Sequence, residues 1–189
     1  MKTAIDMYEF CVKHGFCSQK TPKYIRSFEY IIDSCLEKDE HILLPLTLTS
    51  YYNNGLPLLD GGYTVAVFTN KKRIISCNRG LFTGKPKATA TTVYAAQNIE
   101  MIRSRSLSTP FDRIEIDIIR NKPGFANTTS CVDAMFPFVL ELFHQYQKQE
   151  TIHETVSTAD ELLKFKNLYD MGIITQEEFE AKKKQLLGL

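Results

Sequence analysis

The segment Cys11-Val-Lys-His14-Gly-Phe-Cys17 gathers three metal-ligating side chains in one short stretch. A structural zinc takes four tetrahedral ligands, usually as two close pairs. No second close pair exists here, because Cys35, Cys77 and Cys131 are scattered. The expectation is no metal and no cofactor, with all five cysteines reduced and used as small buried apolar residues. Their odd number and scatter argue against a disulfide framework and fit a reducing compartment. "GLFTGKPKAT" resembles a phosphate loop superficially but lacks Walker spacing and a following helix. Asp60 before Gly61-Gly62 reads as a turn residue. The four histidines are dispersed, so no Ser/His or Cys/His arrangement can be inferred. The residues point to a protein that is not an enzyme.

Charge is distributed unevenly. Lys71, Lys72, Arg73, Arg79, Lys85, Lys87, Arg103 and Arg105 fall in one segment whose single acid is Glu100. That segment carries about +7, and the rest of the chain about −6, against a net charge of +1. Such asymmetry can attract lipid headgroups, nucleic acid or an acidic protein face. The plainer alternative is a solvated sheet face whose lysines guard strand edges. Alternate strand residues face opposite sides, so nearness in sequence does not make one patch.

The elements that must position these groups follow from periodicity. Residues 3–13 and 21–36 read as helices. Thr21 caps the second, with Pro22 at its first position and Ile25, Phe28, Ile32 and Cys35 as its apolar stripe. From His41 the period becomes two: Leu44, Leu46 and Leu48 face one way, while Pro45, Thr47 and Thr49 face the other. Pro45 requires an edge or a bulge. "YNNGLPLLDGG" reads as turn-rich, and "YTVAVFTNKKRIISCN" as two strands around a tight turn. "KATATTVYAAQNI" and "IEMIRSRSL" are strand-like. In "RIEIDII" Ile114, Ile116 and Ile118 share a face opposite Arg113, Glu115 and Asp117. "RNKPGFANTTS" reads as a break. Val132, Met135, Phe136, Val139, Leu142 and Phe143 are spaced for a helix packed on a sheet, with Pro137 kinking it or marking its start. Residues 148–157 are polar and read as a linker. Six or seven successive strands without intervening helices predict an α+β fold built on an antiparallel sandwich or barrel.

The chain ends in two helical phrases. Thr158-x-x-Glu161 and Thr175-x-x-Glu178 are capping boxes, and Gly172 stands where the first helix should stop. Acidic residues open the second helix and Lys182-Lys183-Lys184 lie toward its end, both in keeping with the helix dipole. Leu162, Phe165, Leu168, Phe179, Leu186 and Leu187 are the natural contact residues. About 30 residues bury too little to stand alone, so the stripe needs a partner.

"ADELLKFKNLYDMGIITQEEFEAKKKQLLG" closely resembles the SHOCT (short C-terminal) domain over nearly its whole length. That resemblance implies a non-catalytic module of bacterial and phage proteins, used for oligomerisation or macromolecular contacts. "GGYTVAVFTNKKRIIS" is similar to the strand hairpin of bacterial PH-like domains of the YokE-like type. Thr69-Asn70-Lys71, Arg73, Ile74 and Ile75 match, and Lys72 is one residue more than the usual spacing. This likeness implies a strongly bent antiparallel sheet plugged by a C-terminal helix.

The resulting division is an N-terminal helical extension over 1–39, a PH-like domain over 40–147, a linker over 148–157 and a SHOCT-like hairpin over 158–189. Neither a leader at 1–20 nor a run of about 18 apolar residues is present, so a cytoplasmic protein is expected. The implied function is a bacterial or prophage-type binding and assembly protein that contacts its own copies or another protein through the hairpin. The alternative is an anion-binding module that uses residues 71–105.

Overall fold

A computed structural model describes residues 3–54, 56–79, 84–93, 98–104, 111–118, 121–154, 158–171 and 173–187. The side chains of 57–62, 149–154, 158–161, 164 and 187 lie outside that description. The chain divides into two compact units, Met1–Leu142 and Phe143–Leu189.

The first unit opens with α1 (Ala4–Lys13), started by a capping box between Thr3 and Asp6. A 3-10 turn over Pro22–Tyr24 follows, capped by Thr21, and then α2 (Ile25–Ser34). The buried side of α2 is Tyr24, Ser27, Phe28 and Ile31, while the predicted stripe members Ile25, Ile32 and Cys35 are half-buried.

Seven strands make one antiparallel sheet: β1 (Ile42–Asn53), β2 (Leu56–Thr69), β3 (Arg73–Arg79), β4 (Pro86–Thr92), β5 (Asn98–Ile102), β6 (Phe111–Asp117) and β7 (Pro123–Thr128). Their order is β4-β3-β2-β1-β7-β6-β5. The sheet is not closed; β4 and β5 are its edges. The fold is α+β, as expected, with α3 (Thr129–Glu154) after the last strand.

Two stretches read as turns are strands. Asn53 pairs with Leu56, so Asn54-Gly55 alone joins β1 to β2, and Asn54 takes the left-handed φ of 52° that an Asn-Gly hairpin requires. The remainder, including Asp60, runs inside β2. Between the pairs Leu48↔Thr64 and Ser50↔Asp60, β2 uses two more residues than β1, so Gly61-Gly62 marks a bulge. The second stretch, Pro123–Thr128, is a buried inner strand. Its Pro and Gly are the reason it resembles a loop. Pro123 opens the strand, where its missing donor is harmless. Gly124 lies where an added Cβ would meet Arg113 at 3.4 Å and Tyr52 at 3.5 Å.

The sheet bends sharply. Phe68 on β2 and Phe125 on β7 approach to 5.4 Å between ring centroids, with Tyr51 at 5.5 Å from Phe125. The bend coincides with a parting of β1 from β7. These strands pair only over Ser50–Asn53 and Pro123–Ala126. Beyond that point side chains replace the ladder. Thr49 Oγ1 donates to the Ala126 carbonyl at 2.9 Å, and Asn127 Nδ2 donates to the carbonyls of Thr47 at 2.7 Å and Phe16 at 3.1 Å. Thr47 Oγ1 also reaches Phe16 O at 2.8 Å. Asn127 is 1% exposed.

Pro45 fits the same arrangement. Its carbonyl accepts from Cys11 Sγ on α1 at 3.4 Å. N–H and C=O of one strand residue point to the same side, so the missing donor of Pro45 faces α1 and not β2. No bulge falls at Pro45 itself, which stays in register with Val67; the nearest irregularity lies before it, between Ile42 and Leu44.

In β2 and β3 consecutive residues are fully buried, Val65 through Thr69 and Ile74 through Cys77, so both sheet faces are covered there. α1 packs on α2 and β1, and α2 on β2 and β3. The N-terminal residues are thus a covering layer of this unit.

α3 runs through Pro137 without ending. Val132, Met135, Val139 and Leu142 are buried, and Phe136 is half-buried. Phe138 meets Phe10, His14 and Phe16 at 6.0, 5.0 and 5.2 Å. Residues 148–154 are helical.

Asn127→Ala should cost about 2–3 kcal/mol, because it strips donors from two buried carbonyls. Urea denaturation measures this, and a loss below about 0.5 kcal/mol would contradict the bridging role.

Candidate functional site

The basic residues of the first unit fall in three places. Lys71, Lys72 and Arg73 are at the β2–β3 turn, where Lys72 takes φ 54°. This is the left-handed third residue of a three-residue hairpin loop. Arg79, Lys85 and Lys87 are at the other end of β3 and β4, where Arg79 pairs with Pro86 and Asn78 with Lys87. Arg73 and Arg79 begin and end the seven-residue β3, about 20 Å apart. Arg103 follows β5, on the opposite edge of the sheet. Arg105 lies outside the described residues.

Acids occupy several of these cations. Lys71 Nζ is 3.2 Å from Glu37, and Arg73 Nη1 is 3.1 Å from Glu37 and 2.5 Å from Glu40. Glu40 also accepts from Thr69 Oγ1 at 2.5 Å. Burial pushes the Glu40 carboxyl up, but the Glu37 N–H, the Thr69 hydroxyl and Arg73 outweigh it and hold the carboxyl below its ordinary value. Arg103 bridges Asp112 at 2.6 Å and Asp133 at 2.5 Å. Burial likewise works against ionised Asp112, and Arg103, the Ser104 N–H and Thr129 outweigh it, leaving the carboxyl low. Arg79 is spent on the carbonyls of Arg26 and Gly84.

Four of the thiols are poor nucleophiles. Burial raises Cys11, Cys17 and Cys35, and lifts Cys77 to about 11, whereas a reactive cysteine needs its thiolate. Among the described residues no three His, Cys, Asp or Glu side chains group closely enough to share a metal ion. Among them, too, no helix is long and apolar enough to cross a membrane.

The second unit contains the hairpin of α4 (Thr158–Asp170) and α5 (Gln176–Leu187). Thr175 and Glu178 form the expected box: the Thr175 N–H donates to Glu178 at 2.8 Å and the Glu178 N–H to Thr175 Oγ1 at 3.3 Å. These bonds hold the Glu178 carboxyl below its usual range. The side chains of Thr158 and Glu161 lie outside the described ones, as does Gly172. The Ile173 N–H reaches the Leu168 carbonyl at 2.9 Å, the six-to-one closure of a Schellman cap.

Across the hairpin, Tyr169 stacks on Phe179 at 5.6 Å and Lys182 Nζ lies 5.4 Å from the Phe165 ring centre. Leu162, Phe165, Leu168, Phe179 and Leu186 are half-buried, and the Leu187 side chain is not among those described. No described side chain in 158–187 is fully buried. Leu163, Met171 and Ile173 are 59%, 64% and 64% exposed. Sequence periodicity passed over these three, because it selects the stripe that faces the other helix. Met171 and Ile173 flank Gly172, and apolar residues beside a helix stop were the available signal.

Residues 160–187 match the SHOCT family, described as a short C-terminal domain. No curated protein and no solved structure matches the chain.

The acid pairs set a pH dependence for the first unit. Glu40 and Asp112 titrate lower folded than unfolded, where Glu and Asp sit near about 4.3 and 3.9. Their stabilisation is therefore complete above those unfolded values and is lost as pH falls through the folded ones. Glu40→Gln should cost about 2 kcal/mol or more at pH 7 and clearly less at about pH 3. Denaturation at the two pH values checks this, and an equal cost at both would refute the assignment.

Proposed function

We propose that this is a non-enzymatic binding and assembly protein. Its SHOCT hairpin oligomerises or tethers the chain, and its first unit acts as a PH-like domain for protein contacts or self-association. The observation that carries the reading is the unfinished burial of the hairpin. Two short helices bring together aromatic and aliphatic residues, yet none of those described is fully buried, and Met171 and Ile173 stay 64% exposed at the turn. Apolar surface gains roughly 25 cal/mol per Å² when covered, so a partner surface would complete the module. The PH-like reading draws support from the Thr69–Ile75 hairpin motif and from seven antiparallel strands followed by a helix.

Deleting residues 158–189 tests it. Light scattering and a pull-down with the full chain as control should show loss of the assembled state or of a bound partner. An unchanged mass with every partner retained would overturn the tethering role.

A further inference from the structure

Hydroxyl groups meet inside the bend of the first unit. Ser76 on β3 is fully buried and pairs directly with Thr89 on the edge strand β4. Both side-chain oxygens, Ser76 Oγ and Thr89 Oγ1, are buried and have no hydrogen-bond partner. Thr91, two residues along β4, shares the face of Thr89. Tyr51, 1% exposed on β1, reaches the same place. Burial raises its phenol, and the hydroxyls of Thr91 and Ser76 draw it partly back. Ser76 and Thr91 therefore both lie beside the phenol.

A buried hydroxyl with no partner is costly, and interiors commonly relieve such groups with a water making about three hydrogen bonds. Side chains directly opposed across antiparallel strands stand about 4.5–5.5 Å apart at Cβ. One water reaching each oxygen through a bond of about 2.8 Å can join hydroxyls carried on such a pair. We propose that a single water molecule is held inside the first unit between Ser76 Oγ and Thr89 Oγ1, with the Tyr51 hydroxyl as its third partner. The site accounts for threonine, and not the isosteric valine, on the inner side of an edge strand. It also ties β4, whose only ladder neighbour is β3, to β1 across the core.

The test is thermal unfolding of the full chain carrying Ser76→Ala, Thr89→Val or both. If the water is bound, each single change removes one of its partners and lowers Tm by a few degrees. The double variant should then lose less than the two losses added, because the water is lost once. Unpaired hydroxyls without a water predict the opposite sign, since removing them leaves Tm unchanged or raises it, and that result overturns the proposal. A crystal structure of the unsubstituted chain decides independently of how the variants fold. Density within about 3 Å of both oxygens supports the site, and its absence there overturns it.

Discussion

The first unit depends on how the chain satisfies its backbone where β1 and β7 part. A sheet this bent cannot keep every ladder bond, and each buried carbonyl left unpaired would cost stability. Asn127 resolves the problem with one side-chain amide, donating to Thr47 on β1 and to Phe16 in the segment after α1. Thr47 adds a second bond to Phe16. One buried cluster therefore fixes the opening of the sheet and the position of the N-terminal layer together. The Gly61-Gly62 bulge lies at the same level of the sheet, next to Ser50, where the β1–β7 pairing begins.

The covering layer has a second fastening in charge. Glu37 and Glu40, just after α2, hold Lys71 and Arg73 at the β2–β3 turn, and on the far side Asp112 and Asp133 hold Arg103. Much of the excess positive charge in residues 71–105 is thereby engaged inside the unit and dispersed around it. The second unit differs in kind. Its helices are well capped, by the Thr175–Glu178 box and the Ile173–Leu168 closure, but they enclose little. Good local signals with little enclosed surface are what a module completed by a partner would show.

Much of this was legible in the sequence where one face of an element is apolar and its ends carry ordinary caps. α1, the Leu44–Leu48 alternation, the Ile114–Ile118 strand and the α5 box all follow from period and punctuation. The misread turns share one physical origin, because glycine and proline act as punctuation only where no tertiary demand overrides them. Pro123-Gly124 opens an inner strand, where it pairs with Asn53 and Tyr52 of β1. Gly61-Gly62 belongs to a bulge and not a turn. The inward face of α2 is Ser27, Phe28 and Ile31, one residue off the stripe that period alone selects. In the basic segment, strand order was invisible, so residues adjacent in sequence could not be assigned to opposite ends and edges of one sheet.

The central claim is that the N-terminal layer and the sheet form one cooperative body through Asn127, while the SHOCT hairpin is held much more weakly. Native-state hydrogen exchange reads this directly. Amides of α1 and α2 should open with free energies within about 1 kcal/mol of the best-protected strand amides, and those of α4 and α5 far below them. Early exchange of α1 and α2 with the strands still protected would contradict the account.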